Sequence, residues 1–543
     1  MIRVTLLCFV AVLLAPSAEA ARYAVGAASV ADLPRLQRAL GPGAESLAPI
    51  PALVVERATP PRATALPGAT YVERLGARRL SWAPNDPLKQ WHLTVNRAFD
   101  FWETELEQPP LAPVRVAVID SGIDATHPEF AGGRIVDAKS FVGGSARVDQ
   151  EGHGTFVAGL IAAGVDNGAG IAGMAPSAEL LVAKVVNGDD LIDVEAEVRA
   201  IHWAVANGAD VINMSLGGFR DPRDPDRDAY SPLEAAAVGY AHGKGVVVIA
   251  AVGNSDEVPP RPWPFASYPA ALPHVLGVSA LARDGSVPAF SNRDRIYNDI
   301  SAPGQAILST FPLGLTAAAK ECPEQGYSSC AVAGFEDFRK GEGTSFAAPQ
   351  VSAAAAVLLA ARPSLRPEQV TALLTRTARD VNAASGCRVC PLQRDALTGW
   401  GRLDVTAALR ALSGPLPPRD RFEPNDDAGG RAFRLWGQAS RIEATLDFWD
   451  DQNDVYAIRL RRGQPVYVRV RGPAGHDTNL ILWRPGTKHV DDLASLGRVV
   501  RQSARPGPRE WLSYTASKTG IYYVQVKLGA RGAGRYKLVI VKA

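Results

Sequence analysis

The chain has 543 residues, which corresponds to two or three domains at roughly 100 to 200 residues per domain. Its apolar fraction of 47% and charged fraction of 21% are those of an ordinary globular protein, which excludes a disordered, fibrous or many-span membrane chain. The 58 Lys and Arg against 56 Asp and Glu leave a formal charge of +2, too small for the whole protein to attract nucleic acid.

The charge is unevenly distributed along the chain. Residues 419–543 hold 22 basic and 13 acidic side chains, so this part carries +9 and the preceding part carries −7. Such asymmetry indicates an acidic body with a basic appendage. The appendage is a candidate for holding the protein to an anionic surface polymer, although a basic face is more often only solubilising. Because the basic segment has no recognised nucleic-acid-binding motif, its charge alone does not predict nucleic-acid binding.

The first 20 residues have the pattern of a secretory signal peptide. Arg3 gives a positive start, an apolar run covers residues 4–14, and Ala18-Glu-Ala20 forms an A-x-A cleavage site. The run is shorter than the roughly 20 residues that cross a bilayer, and no later stretch is long enough. We therefore expect an exported protein, extracellular or periplasmic, without a membrane span.

Residues 21–84 are rich in Ala, Pro and Arg. A helix is predicted from Ala31 to Leu40 and a strand from Ala52 to Glu56, which is too little for a robust independent core.

From residue 85 to 412, apolar strand-like runs alternate with helical patterns, which predicts an α/β domain whose mainly parallel sheet is covered on both faces. The predicted strands are Val114–Ile119, Asp210–Met214 and Val246–Ala250, and the predicted helices are Val194–Asn207, Leu233–Gly243 and Ser345–Ala361.

The sequence changes character after residue 412. Residues 413–418 form a stiff, Pro-rich linker. From residue 419 to 543, short runs separated by Gly, Pro and Asp turns predict a small all-β sandwich. The predicted strands are Val466–Val470, Leu480–Trp483, Tyr522–Val526 and Tyr536–Val541.

Four cysteines remain once Cys8 leaves with the signal peptide. An even number in an exported protein favours two disulfides, and four cysteines allow three connectivities. Pairing of neighbours is favoured; a four-thiolate zinc site is the lesser alternative, because it needs two C-x-x-C pairs and the chain has one. The cysteines are Cys322, Cys330, Cys387 and Cys390.

Three short segments of the central domain carry candidate catalytic side chains. Asp120 ends an apolar strand, His153 stands between glycines at the start of an apolar helix, and Ser345 opens a long Ala-rich helix. Taken singly, each has an ordinary structural explanation: a turn aspartate, a structural histidine and a serine N-cap. Their order, Asp then His then Ser, is that of subtilisins.

Residues from about 85 to 412 resemble the subtilisin-like serine peptidases, whose motifs appear here in order as VAVIDSGID, GHGTFVAG, INMSLGG, AAVGNS and GTSFAAP. The resemblance implies a three-layer α/β fold in which Ser345 is the nucleophile, His153 its base and Asp120 the partner of the other ring nitrogen. Asn254 and the Ser345 backbone N–H would hold the oxyanion. This chemistry needs no cofactor.

The resemblance also implies substrate contacts. Ser215, Leu216 and Gly217 match the strand that pairs with the substrate backbone, and Ala251, Val252 and Gly253 match the opposite wall of the primary pocket. Backbone pairing binds any extended peptide, so a broadly tolerant endopeptidase is expected. Residues 187–190 are a weaker candidate for the second edge.

Subtilisin-like peptidases often bind structural calcium in a loop after the histidine helix. Here the candidate ligands are Gln90, Glu129, Asn167, Ala169 and Ile171, which offer the oxygens that calcium prefers. The loop is one residue longer than usual and Glu129 stands where an aspartate is common. A plain Asn-Gly turn explains the segment about as well.

The flanking segments resemble known appendages of such peptidases. By position, residues 21–84 match an inhibitory propeptide that assists folding, which implies self-cleavage between about Gly76 and Pro84.

Residues 419–543 resemble a bacterial pre-peptidase C-terminal domain through Phe422–Asp427, Asp451–Tyr456 and Gly520–Val524. The acidic residues of this domain are candidates for calcium binding, with a solvated turn as the better default: Asp447, Asp450, Asp451 and Asp454.

The sequence thus favours an exported serine endopeptidase that is made as a self-processed precursor and acts on protein or peptide substrates. One alternative is a catalytically inactive binding protein on the same fold, which the intact candidate side chains oppose. Another is a sedolisin-type acid peptidase, which uses a Glu/Asp pair and which Gly152-His153-Gly154 opposes.

Overall fold

The computed structural model describes residues 21–57, 59–74, 86, 88–100, 112–175, 177–188, 191–254, 262–318, 337–381, 394–412, 420–447, 451–473, 476–490, 493–529 and 533–543. The predicted signal peptide, cleavage segment, linker and disulfides, as well as Asp450, lie outside the described residues. The chain divides into two compact units, residues 1–81 and 82–543.

The first unit is a four-stranded antiparallel sheet with one helix. Its elements are β1 (Ala21–Ala27), α1 (Leu33–Leu40), β2 (Glu45–Ser46), β3 (Ala52–Arg57) and β4 (Ala69–Arg74), in the sheet order β2-β3-β1-β4. Leu33, Leu36 and Leu40 lie on one face of α1 and pack on the buried side chains of β1 and β3. The unit therefore has an apolar core of its own, which the two elements predicted from the sequence did not suggest.

The second unit begins with a large parallel sheet. Its strands are β5 (Val114–Asp120), β6 (Ile135–Ser140), β7 (Ala178–Lys184), β8 (Val211–Met214), β9 (Val247–Ala251), β10 (Val275–Leu281) and β11 (Ile300–Pro303). They lie in the order β11-β10-β9-β8-β5-β7-β6, and every pair is parallel. The continuous burial of most of these strands fits a sheet covered on both faces, which confirms the predicted fold class.

Helices and short strands cover this sheet. They are α2 (Trp91–Val95), α3 (His153–Ala162), α4 (Val194–Ala206), α5 (Pro232–Gly243), β12 (Ile307–Thr310), α6 (Leu313–Ala318), β13 (Phe338–Gly341), α7 (Thr344–Ala361), α8 (Pro367–Thr377) and α9 (Val405–Ala411). The apolar side chains of α3 and α7 belong to one core cluster, and those of α4 and α5 belong to another. The sheet is thus the middle of three layers.

The strand order places a candidate site at the carboxyl ends of the central strands. The chain runs from β5 to the edge strand β6, returns to β7 beside β5, and then crosses to β8 on the other side of β5. β5 and β8 therefore flank the point where the strand order reverses. In open α/β sheets, ligands bind outside the carboxyl ends of the strands at such a point. Asp120 and Ser215 lie at or just after the carboxyl ends of these two strands.

The C-terminal part is an antiparallel β-sandwich, as predicted. Its strands are β14 (Phe433–Leu435), β15 (Ala439–Asp447), β16 (Asn453–Leu460), β17 (Pro465–Arg471), β18 (Thr478–Trp483), β19 (Val499–Ser503), β20 (Arg509–Thr515), β21 (Gly520–Leu528) and β22 (Ala533–Lys542). One sheet has the order β14-β16-β21-β18-β19 and the other β15-β22-β17-β20. A single parallel pair, β14 with β16, stands at the edge.

Within the described part of the chain, α7 is the one helix long and apolar enough to cross a bilayer. Its apolar window is 89% buried inside the protein. This burial identifies α7 as the central core helix of the parallel-sheet domain.

Candidate active site

Asp120 and His153 meet at the carboxyl edge of the parallel sheet. His153 Nδ1 lies 2.8 Å from Asp120 Oδ1, which also accepts a hydrogen bond of 2.8 Å from the Ser121 N–H. Asp120 is only 2% exposed. A carboxylate held in this way fixes the orientation of the ring and leaves Nε2 as the working nitrogen.

A second aspartate holds the first turn of α3 and therefore His153. Asp149 Oδ1 accepts from Gly152 N–H at 2.8 Å, and Asp149 Oδ2 accepts from the N–H and hydroxyl of Thr155 at 2.8 and 2.6 Å. The Ser121 hydroxyl donates to Asp149 at 2.9 Å and accepts from Gly154 N–H at 2.9 Å. These bonds tie the start of α3 to the end of β5 and satisfy N–H groups that a helix start leaves open.

Glycine at position 154 is required by the close approach of α3 to β5. A Cβ on Gly154 would lie 2.1 Å from Gly122 O and 3.2 Å from Asp120 Cβ. Any side chain here would push the helix away from the strand and lengthen the Asp120–His153 contact.

The surroundings of His153 shift its pKa in opposite directions. Burial alone would lower the pKa, but the charge of Asp120 and its hydrogen bond outweigh burial and raise the pKa above the ordinary 6.5. The imidazolium that forms when a base accepts a proton is therefore stabilised at this position.

Ser345 lies in the first turn of α7, beside the start of α3. The ring of its neighbour Phe346 lies 5.5 Å from the His153 ring, centroid to centroid. The Ser345 hydroxyl donates to Ser215 O at 3.0 Å. The helix begins one residue earlier than predicted, at Thr344, and its N-cap Gly343 provides no side-chain cap. The ordinary explanation of Ser345 as an N-cap is therefore wrong.

The side chain of Asn254 is oriented by Thr344, which the sequence analysis missed. Asn254 Oδ1 accepts from the Thr344 N–H at 2.9 Å and from its hydroxyl at 3.1 Å. The amide nitrogen is thereby turned away from Thr344. A Cβ placed on Gly343 would lie 3.5 Å from Asn254 Nδ2 and 3.7 Å from the Ser345 N. The two candidate oxyanion donors thus converge on one small region.

A buried chain of hydrogen bonds joins the candidate substrate strand to α7. Ser352 Oγ donates to Asn213 Oδ1 at 2.8 Å, Asn213 Nδ2 donates to Ser215 Oγ at 3.0 Å, and Ser215 Oγ donates to Ser345 O at 2.7 Å. Asn213 is fully buried in β8. A polar residue inside an otherwise apolar strand was the available sequence signal for this role.

The six candidate substrate-binding residues lie on two neighbouring segments. Ser215 is buried, Leu216 is half-buried and Gly217 is exposed. Within the described residues, neither the N–H nor the C=O of Gly217 has a hydrogen-bond partner. Ala251 and Val252 are buried at the end of β9, and Gly253 is half-buried. Val252 bonds through its N–H to Val278 O at 3.0 Å, so its N–H does not face a ligand.

The candidate calcium ligands gather around one loop, where their side-chain oxygens already accept hydrogen bonds. Glu129 Oε1 accepts from Ile171 N–H at 3.1 Å, Asn167 Oδ1 accepts from Ala169 N–H at 2.8 Å, and Gln90 Oε1 accepts from Ala172 N–H at 2.8 Å. Burial raises the pKa of Glu129 to about 7.

A second acidic cluster lies in the β-sandwich, where Asp451 and Asp454 are buried rather than solvated and Glu423 is half-buried. One carboxylate oxygen each from Glu423, Asp451 and Asp454 lies within 4.8 Å of the others. Asp451 is 3% exposed and Asp454 is fully buried. Burial, followed by the charges of Asp454 and Glu423, raises the pKa of Asp451 to about 11.

The acidic cluster also contains buried oxygen atoms without partners. Within the described residues, the Asn425 Oδ1, Asp451 Oδ1 and Asp454 Oδ1 atoms have no hydrogen-bond partner. Asn425 is fully buried, and its N–H donates to Glu423 Oε2 at 3.3 Å. Carboxylate and amide oxygens in this arrangement are the donor set of a hard cation such as Ca²⁺.

A carboxylate–imidazole pair, a helix-borne serine and an amide donor at the carboxyl edge of a parallel sheet are typical of serine hydrolases. Residues 112–401, more than half of the chain, match the model of the subtilase family. The chain belongs to this family and is a subtilisin-like serine endopeptidase.

Three relatives illustrate the extent of the similarity. Subtilisin DY of Bacillus licheniformis is 35% identical over 271 residues, which cover 50% of this chain and 85% of that protein. Fervidolysin of Fervidobacterium pennivorans is 33% identical over 322 residues, or 57% of this chain and 42% of that protein. The major intracellular serine protease of Bacillus subtilis (strain 168) is 37% identical over 251 residues, or 45% of this chain and 68% of that protein.

Proposed function

We propose that the protein hydrolyses peptide bonds through an acyl-enzyme formed on Ser345, with His153 as general base and Asp120 as its orienting partner. The observation that carries this proposal is the 2.8 Å contact between His153 Nδ1 and the buried Asp120, next to the first turn of α7. No cofactor enters the reaction.

The proposed reaction assigns each proton and bond to a group. The Ser345 oxygen attacks the scissile carbonyl carbon while His153 Nε2 accepts the hydroxyl proton. His153 then gives that proton to the leaving amine as the C–N bond breaks, and a water molecule repeats the sequence to release the acid. Asp120 stays ionised and stabilises the imidazolium. In this structure the Ser345 hydroxyl donates to Ser215 O, and the proposed reaction requires it to donate to His153 Nε2 instead when substrate binds.

Replacing Asn254 with alanine is expected to lower kcat by about 10²–10³-fold with little change in KM, because the amide donates to an oxygen that becomes charged only in the transition state. Thr344→Val keeps the N–H bond to Asn254 and removes the hydroxyl bond, so it should lower kcat much less than Asn254→Ala does. Steady-state kinetics on a peptide anilide measure both variants. If kcat falls equally in the two variants, or if Asn254→Ala changes only KM, the oxyanion role of Asn254 is refuted.

We expect kcat/KM to fall as the pH is lowered, with an apparent pKa above 6.5. Only neutral His153 can accept the serine proton, and the raised pKa of His153 keeps it protonated to a higher pH than a free histidine. Activity is therefore lost as pH falls through the folded-state pKa. A pH profile from 5 to 10 measures the midpoint. A midpoint below 6.5 would contradict this assignment, and activity confined to acid pH would favour the sedolisin-type alternative.

We propose that substrates bind as extended peptides beside Ser215, Leu216 and Gly217, with Ala251, Val252 and Gly253 as the opposite wall. The free backbone groups of the exposed Gly217 support this, since main-chain pairing is independent of side-chain identity. The binding mode predicts broad sequence tolerance, which cleavage profiling on a peptide library measures.

Export and self-processing are further parts of the proposal. The amino-terminal signal pattern supports export to the periplasm or the exterior, while the name of one relative, an intracellular protease, shows that family membership alone does not decide the compartment. The separate compact unit formed by residues 1–81 supports a propeptide that inhibits the enzyme until it is removed. N-terminal sequencing of the purified active form identifies the cleaved bond.

Structural calcium is proposed at the acidic cluster of the β-sandwich in preference to the loop after α3. At the loop, a cation would have to replace the hydrogen bonds that Glu129, Asn167 and Gln90 already accept. At the cluster, the unpartnered oxygens of Asn425, Asp451 and Asp454 fit a hard cation without such a loss. Bound there, Ca²⁺ would neutralise buried charge and stabilise the sandwich, which we propose to be a pre-peptidase C-terminal-like domain.

A further inference from the structure

The outer face of the four-stranded sheet of the β-sandwich is bare and strongly basic. Residues alternate between the buried interior and this face along each strand, as in β17, where Val466, Val468 and Val470 are buried. The exposed cations of the face are Arg441, Arg469, Arg471, Arg509, Arg535 and Lys537. We call this surface the basic outer face.

Among the described residues of these four strands, Glu443 is the one exposed carboxylate on the basic outer face. It accepts from Lys537 Nζ at 2.7 Å, and both side chains are more than half exposed, so this ion pair is weak and exchangeable. The excess of positive charge on one flat surface complements a polyanion. The same cations account for a large part of the +9 carried by residues 419–543.

Two aromatic rings lie among these cations. Tyr467 is 55% exposed and Trp511 is 59% exposed. In the register of β17 and β20, Trp511 stands opposite Arg469 and Tyr467 stands opposite Ser513, which makes Tyr467 and Trp511 diagonal neighbours whose backbone positions are about 7–8 Å apart. An open groove beside Trp511 continues the face between Arg501 and Arg505. Large exposed aromatic side chains without a covering element mark binding surfaces.

The opposite sheet of the sandwich does not have these properties. Its outer side chains, such as Trp483 and Tyr523, are buried under loop residues that include Ala428 and Val490. Asn453 and Lys527 of that sheet also line a cavity shared with the parallel-sheet domain. The basic outer face therefore belongs to the other side of the sandwich and stays open.

The geometry points to an acidic polysaccharide as the ligand of the basic outer face. One row of cations crosses three neighbouring strands and consists of Lys537, Arg471 and Arg509. The strands are about 4.8 Å apart, which is close to the length of one sugar unit. Trp511 and Arg469 form the next row along the strands, and Tyr467 lies one row further along β17. An acidic polysaccharide that covers these three rows can thus rest ring faces on the aromatic side chains while its carboxylates face the cations.

Other polyanions fit this face less well. As far as the structure describes the chain, the face is formed by the strands of one sheet, without a helix or projecting ribbon that could enter a groove of duplex DNA. An anionic membrane would need rings that project beyond the charged groups, but the longer side chain of Arg469 lies directly opposite Trp511. Single-stranded DNA and anionic vesicles are therefore the competing ligands that the experiment must include.

Binding of the full chain, with its active site blocked by a fluorophosphonate, is measured against polygalacturonate, neutral dextran, single-stranded DNA and phosphatidylglycerol vesicles. Polygalacturonate should bind best, with an affinity that falls as salt rises. The triple variant Arg469→Gln, Arg471→Gln, Arg509→Gln should lose at least about tenfold in affinity. Trp511→Ala should lose about threefold or more, a loss that simple ion exchange would not produce.

A matched triple variant removes the same charge from exposed positions of the same domain outside the face: Arg459→Gln, Arg461→Gln, Arg462→Gln. It should keep most of the affinity. An equal loss in both triple variants, tighter binding of DNA or vesicles, or no polygalacturonate binding at low salt would overturn the proposal. Without the blocking reagent, cleavage of a short peptide should be the same in both triple variants, so this test is independent of the proposed peptidase mechanism.

Discussion

Ser345→Ala is expected to lower kcat by about 10⁶-fold, the magnitude known for removal of the nucleophile in subtilisin. The hydroxyl oxygen is the atom proposed to form the acyl bond, and the other hydroxyl of this turn, that of Thr344, is bonded to Asn254 Oδ1. Residual hydrolysis would come from the oxyanion donors and binding alone. Turnover of a peptide anilide by the purified variant measures the loss.

Two controls separate chemistry from folding in this experiment. Ser286→Ala removes an exposed loop hydroxyl, bonded to Asp284, and should keep full activity. A fluorophosphonate probe should label the wild type and Ser286→Ala but not Ser345→Ala, while all three melt at similar temperatures. Absence of labelling in a folded, processed wild type would instead support the inactive binding protein.

The same variant tests self-processing. If the enzyme cleaves its own precursor, Ser345→Ala should accumulate with residues 21–84 attached when it is made in a host that lacks other proteases. The wild type under the same conditions should begin after the cleavage segment. Normal processing of Ser345→Ala would contradict self-cleavage while leaving the peptidase activity itself intact.

The sequence was informative where a residue's chemistry and its local pattern coincide. Strand and helix patterns place Asp120, His153 and Ser345 at element boundaries, and their order in the chain, with the resemblance to subtilisins, made them candidates for catalysis. The parallel sheet and the sandwich followed from the apolar runs in the same way. Most predicted boundaries agree with the structure within one residue, although α1 begins at Leu33 instead of Ala31.

The supporting groups could not be predicted, because their role depends on contacts across the fold. Asp149 looks like a loop residue, yet it holds the first turn of α3. Thr344 looks like a neighbour of the proposed nucleophile, yet it orients Asn254 from 90 residues away. Asn213 was visible as a polar residue in an apolar strand, but its partners, Ser215 and Ser352, are set by the packing of α7 on β8.

The burial of the acidic cluster could not be predicted from the sequence either. Glu423 lies outside the sandwich strands and well before Asp451 and Asp454 in the chain, and an acidic segment between turns normally indicates solvent. The structure instead encloses Asp451 and Asp454 and half-buries Glu423, with Tyr536 donating to Asp454 from β22. Enclosed carboxylates are costly unless protonated or bound to a cation, and this cost gives a second prediction.

Asp454→Asn is expected to raise the melting temperature in the absence of calcium and to lose most of the stabilisation that calcium gives. Without a cation, the raised folded-state pKa values of Asp451 and Asp454 mean that the folded protein binds more protons than the unfolded chain. For Asp451 this holds from its ordinary 3.8 up to about 11, so stability falls as pH rises across that window. At pH 8 in EDTA the folded wild type must therefore protonate a carboxyl that is ionised in the unfolded chain, which costs stability. Asp454→Asn removes this cost, so the melting temperature of the variant should lie above that of the wild type.

Saturating Ca²⁺ should raise the wild-type melting temperature at pH 8 by a few degrees, as expected for a ligand well above its Kd. The rise should be smaller at pH 5, where protons compete for the same oxygens. Asp454→Asn should lose most of this rise, whereas Glu443→Gln, which removes an exposed carboxylate from the same domain, should keep it. Calorimetry on fluorophosphonate-blocked protein avoids self-digestion. A full calcium response in Asp454→Asn would move the site to the loop at Glu129, and no response in the wild type would refute structural calcium at either place.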